Sequence, residues 1–129
     1  MKRAAAWALL VLLCVAGLVA GVLGFIVSDV HAARLNNEAH YQSLWCEGKI
    51  EFTLPDKTRV DCLMEDYAVE VDFADKFYNG IGQALHYALM TDREPGLLLI
   101  VESLDDLKYV ERAQHVAMRH DVRIWLIWP

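Results

Sequence analysis

Arg59-Val60-Asp61-Cys62-Leu63-Met64, a turn at Glu65-Asp66, and Tyr67-Ala68-Val69-Glu70-Val71-Asp72-Phe73 form the stretch on which the fold turns. Both runs are rich in β-branched and aromatic residues, and both carry acids in mid-strand. Period-two geometry places Glu70 and Asp72 on one face of the later strand and Val69, Val71 and Phe73 on the other. An acid in mid-strand is costly unless it is paired, hydrated or bound to a cation. If the two strands are hairpin neighbours, Asp61 and Glu70 project from one face, within reach of a single divalent ion. Hard oxygen donors of this kind suit Mg²⁺ or Mn²⁺. The plain alternative is a solvated sheet face with ordinary acids.

Outward from this stretch, Arg34 to Trp45 shows the mixed three- and four-residue spacings of a helix, through Leu35, Ala39, Tyr41, Leu44 and Trp45. Ile50 to Leu54 alternates as a half-buried strand, and Pro55-Asp56-Lys57 turns it into the strand that starts at Arg59. Beyond Phe73, the spacing predicts a helix over Ile81–Met90 with Ile81, Leu85, Ala88 and Leu89 as its apolar stripe. Asn79-Gly80 are poor helix formers and are read as its start. Gly96–Val101 is a continuous apolar run, the pattern of a strand covered on both faces. Leu104–Arg119 reads as an amphipathic helix with Asp105-Asp106 near its N-terminus, and Arg123–Trp128 as a last strand. The order is α-β-β-β-α-β-α-β, an α/β domain with a mixed sheet. Repeats, linkers and low-complexity stretches are lacking.

The chain has 129 residues, 56% hydrophobic and 23% charged, which allows one domain. Lys2 and Arg3 precede Ala4–Val27, a run of 24 residues without charge that would reach about 36 Å as a helix. Residues 1–32 therefore read as an inner-membrane anchor through residues 4–27 or as a signal cleaved after Ala32. Either way residues 33–129 are exported, to the periplasm or the extracytoplasmic face of a bacterial inner membrane. Those residues hold 10 Lys+Arg and 17 Asp+Glu, a net charge of −7. That balance excludes a protein that coats polyanions electrostatically, but not an enzyme that meets nucleic acid through bound cations. With Cys14 in the N-terminal run, Cys46 and Cys62 remain; an exported domain favours one disulfide over two buried thiols, and neither residue has zinc-ligand spacing.

Asp61, eight further residues, Glu70-Val71-Asp72, and then a helix with Gln83 and Tyr87 together resemble the PD-(D/E)XK nuclease core. Gln83-Ala84-Leu85-His86-Tyr87 is similar to the Gln-x-x-x-Tyr element of its RecB-like members, and the likeness spans roughly residues 35–102. The resemblance implies a restriction-endonuclease-like fold, a Mg²⁺ or Mn²⁺ ion held by Asp61, Glu70 and Asp72, and hydrolysis of phosphodiester bonds in DNA. It also implies roles for Gln83 and Tyr87, which share one helix face, in orienting substrate or the acids. Glu38, on the first helix, stands where many members carry an acid near the ion; the alternative is an exposed helix acid.

The chain departs from the pattern at two positions. Val60 replaces the proline before Asp61, a common variation. Asp72 occupies the place of the lysine that helps position or activate the attacking water, and an Asp cannot supply its positive charge. Lys76 is the substitute if it reaches in from the following helix, and otherwise a surface lysine. His86 points off the Gln83–Tyr87 stripe and reads as a helix packing residue rather than a base. Trp45, Trp125 and Trp128 read as packing residues. Two functional classes remain: a metal-dependent nuclease, and a catalytically inactive nuclease-like interaction module of the envelope. An envelope protein of unrelated α/β fold is the third reading.

Overall fold

The computed structural model describes residues 34–129. The anchor or signal expected at residues 1–32 lies outside them. Among the described residues no helix is long and apolar enough to cross a membrane.

The domain is α/β. Helix α1 (Glu38–Trp45) leads into strands β1 (Lys49–Thr53), β2 (Arg59–Leu63) and β3 (Tyr67–Phe73). A single 3₁₀ turn, Ala74–Lys76, opens into α2 (Phe77–Thr91), followed by β4 (Glu94–Ile100), α3 (Leu107–Ala117) and β5 (Arg123–Ile127). The sheet order is β1-β2-β3-β4-β5, antiparallel from β1 to β3 and parallel from β3 to β5. The continuous apolar run lies in β4, where Leu97–Ile100 are buried and covered from both sides. Leu97 and Leu99 face Phe77, Ile81 and Ala84's helix together with α3, while Leu98 and Ile100 join Val69, Val71, Phe73 and Tyr41 of α1.

Three boundaries differ from expectation. First, α1 begins at Glu38 rather than Arg34, because the Asn37 side chain caps it by accepting from His40 N–H at 2.9 Å. It buries only Tyr41 and Gln42, whereas Leu35 and Leu44 are exposed. Second, α2 starts at Phe77, a full turn before Ile81, and includes Asn79-Gly80. Its buried stripe is Phe77, Gly80, Ile81, Ala84, Tyr87 and Ala88, and Leu89 stands 82% exposed. Third, the segment before α3 is a 3₁₀ turn (Leu104–Asp106), where Ser103 and Asp106 form a capping box.

Gly80 is where propensity yields to packing. A Cβ there would stand 2.6 Å from Leu97 Cδ1 and 3.4 Å from Asp72 Cβ, so glycine lets the helix lie directly on the strand that carries Asp72. Gly80→Ala is expected to destabilise the fold by about 1–3 kcal/mol, the usual range for overpacking, despite alanine's better helix propensity. Urea denaturation checks this, and an unchanged or higher midpoint would contradict it.

Cys46 ends α1 and Cys62 lies in β2; they form the expected disulfide, with Cα atoms 5.8 Å apart and a sequence separation of 16. This bond fixes the helix bearing Glu38 against the strand bearing Asp61.

Candidate functional site

The β2–β3 register pairs Cys62 with Val69 and Leu63 with Ala68, and this pairing carried one step further sets Asp61 opposite Glu70. The ladder stops there. In place of a backbone acceptor, the Val71 N–H donates to Asp61 Oδ2 at 2.9 Å. The strands part at this point, and the opening is a cleft of about 750 Å³. Asp61, Glu70 and Asp72 line it, with Glu38 and Lys76 at one side and Gln83 and Tyr87 of α2 at another. All seven residues singled out from the sequence thus meet at one cleft.

Glu70 and Asp72 are buried side chains on the face toward α2, beside Leu97 and Leu99 of β4. Burial first, then the charges of Asp61 and Asp72, pushes the Glu70 carboxyl up to about 9. Burial and the neighbouring Glu38 push Asp72 up to about 7, against the opposing pull of Lys76. Asp61 is raised as well, chiefly by burial, although the Val71 N–H favours its charged form. Glu70 Oε2 is the one buried side-chain nitrogen or oxygen among the described residues that has no hydrogen-bond partner. A buried carboxylate oxygen in that condition is costly and calls for a proton or a cation.

Lys76 Nζ donates to Glu38 Oε1 at 2.8 Å and stands 3.8 Å from Asp72 Oδ1. Glu38 raises its pKa, so Lys76 stays cationic at the lip of the cleft. Lys76, four residues after Asp72, thus reaches the Asp72 carboxylate from the turn that follows β3. Tyr87 is buried, and its hydroxyl, pushed up to about 12 by burial and the Glu70 and Asp61 charges, donates to Gln83 Oε1 at 3.1 Å. With its oxygen so engaged, the Gln83 amide nitrogen is left as a donor at the cleft.

The chain matches no protein-family model, no curated protein and no solved structure.

Several participants escaped the sequence reading. Gln42 is buried, and its Nε2 donates both to Asp61 O at 2.5 Å and to Glu51 Oε1 at 3.0 Å. Glu51 adopts φ 56° inside β1, a conformation uncommon for a residue with a Cβ, and pairs with Arg59. His86 does more than pack: its Nε2 lies 2.8 Å from Asp56 Oδ2 in the β1–β2 turn and 3.4 Å from Thr58 Oγ1. Trp45 and Trp125 pack on each other at 5.2 Å between ring centroids, away from the cleft residues, and Trp128 is half exposed. None of these contacts falls on a helix or strand period; only the out-of-pattern mid-helix Gln42 was a visible cue, a polar residue between Tyr41 and Leu44.

The donor set can be tested against a divalent ion. Asp61 and Glu70 supply hard oxygens, and Glu70 Oε2 is unsatisfied. Among the described residues no three His, Cys, Asp or Glu side chains are closed around a common point. An ion in this cleft would therefore be held by at most two of these carboxylates, with its remaining places left to water.

Proposed function

We propose that the cleft hydrolyses phosphodiester bonds of DNA with the help of Mg²⁺ or Mn²⁺, in a domain of restriction-endonuclease-like type. The observation that carries this reading is the unpartnered Glu70 Oε2, buried beside Asp61 and Asp72 in a cleft whose rim holds a cationic lysine. An ordinary solvated sheet face would leave its acids hydrated. Asp61 and Glu70 would hold the ion, with Asp72 beside them in the cleft. Such an ion supplies a Lewis acid and a nucleophile at neutral pH.

The chain's own groups do the rest. Lys76, kept protonated by Glu38, cannot act as a base; it offsets negative charge on the phosphoryl oxygens. Asp72, buried in the cleft with Lys76 Nζ 3.8 Å from its Oδ1, would accept the water's proton. Gln83, its oxygen held by Tyr87, donates from its amide nitrogen to substrate oxygen. The disulfide between Cys46 and Cys62 is in keeping with an extracytoplasmic domain, in the periplasm or anchored to the inner membrane by residues 4–27.

The test is incubation of the full chain with plasmid and linear DNA, with and without Mg²⁺ or Mn²⁺. Cleavage only with the ion supports the reading, and no cleavage under any condition rejects it. Lys76→Ala is expected to keep ion binding, because Nζ is not a ligand, and to lose roughly 10²–10³-fold in cleavage rate, the scale of one removed electrostatic donor. Parallel calorimetry and single-turnover cleavage would separate the two effects. Loss of ion binding with Lys76→Ala would show the lysine to be structural.

A further inference from the structure

We infer that Arg59 is a phosphate-binding arm, and that Glu51, itself fixed by Gln42, sets its position. The inference rests on the phosphodiester reading of the cleft. Arg59 begins β2, its side chain is 61% exposed, and it lines the cleft with Lys57 and Thr58 of the same hairpin. The guanidinium pairs with Glu51 through Nε, and its planar fork of donors suits bidentate contact with an anion.

Glu51 is not a casual surface partner. Its backbone takes up φ 56° within β1, flanked by the pairs Ile50↔Cys62 and Phe52↔Val60, and its Oε1 accepts from buried Gln42 at 3.0 Å. The same Gln42 nitrogen donates to the carbonyl of Asp61, so one amide sets both the acid's backbone and the arm's partner. At the other end of the hairpin, Asp56 and Thr58 are clamped by His86 of α2. The basic wall is thus held at both ends relative to the carboxylate floor. A substrate phosphate next to the scissile one, which the acidic floor would repel, meets a cation there.

Two variants of the full chain separate this from a generic charge effect. Binding of a short fluorescent DNA duplex is followed by anisotropy in Ca²⁺, to limit cleavage, over a range of salt. Arg59→Ala should weaken binding about tenfold and reduce the slope of log affinity against log salt by about one. Glu51→Gln removes an acid, so net charge alone would tighten binding. If Glu51 positions Arg59, binding instead weakens about threefold. Wild-type affinity and slope in Arg59→Ala, or tighter or equal binding in Glu51→Gln, would overturn the inference. Absence of cleavage by the native chain together with Arg59-dependent binding would reject the proposed catalysis and keep the arm.

Discussion

Glu70→Gln is expected to abolish cleavage and, in the absence of divalent ions, to make the domain more stable at alkaline pH. Glu70 is buried, its Oε2 has no partner, and its carboxyl is pushed up to about 9. In the unfolded chain a glutamate titrates near 4.3. Between these values the folded state binds more protons than the unfolded one, so stability falls as pH rises. The favourable contribution is fully present below the unfolded value and is lost as pH passes the folded one. Asp72, raised to about 7, adds a slope of the same sign at lower pH.

Native protein should therefore lose on the order of a few kcal/mol between pH 5 and pH 9, and Glu70→Gln much less, because a neutral amide has no charge to bury. The amide can also donate toward Asp61. If Glu70 holds the ion as proposed, its loss forfeits several kcal/mol of charge stabilisation, roughly 10³-fold or more in rate. Urea denaturation across pH, alongside a cleavage assay, measures both. A steeper fall of stability with pH in Glu70→Gln, or cleavage at the native rate, would contradict the assignment.

Loss of the Cys46–Cys62 disulfide should have the next largest effect. The bond closes a loop across a separation of 16, worth about 3 kcal/mol on the chain-entropy account. For a domain of this size that corresponds to a fall in melting temperature of roughly 12–24 °C. The local consequence is sharper. Helix α1 spans 8 residues, too few to hold itself, and buries only Tyr41 and Gln42. With the tether gone, Glu38 would release Lys76 and Gln42 would release Asp61, so cleavage should fall while the sheet survives. Calorimetry of native, reduced and Cys46→Ala/Cys62→Ala protein, with amide exchange over α1, tests this. Equal melting temperatures in the three would refute it.

The carboxylate cluster was legible because a strand's period is two and one register step decides which faces meet. Glu70 and Asp72 had to share a side, and a hairpin through Glu65-Asp66 had to bring β2 alongside. The start of α2 was not legible, since Asn79-Gly80 argue against a helix on propensity while the contact that demands glycine involves Leu97, seventeen positions later. Leu89 was read into the apolar stripe because a leucine at helical spacing looks buried; the helix in fact turns Tyr87 and Ala88 inward. The Gln42–Glu51–Arg59 chain and the His86 clamp were hidden for another reason. Hydrogen bonds between distant side chains leave no periodic trace, and a positive φ at a glutamate is not written in residue type.

Calorimetric titration of Mg²⁺ or Mn²⁺ into the full chain tests the central claim most directly. The native protein should bind the ion, and Asp61→Ala and Glu70→Ala, which remove the oxygens that would hold it, should not. Native protein that binds neither ion would contradict the account and leave the cleft as a protonated carboxylate cluster without catalytic use.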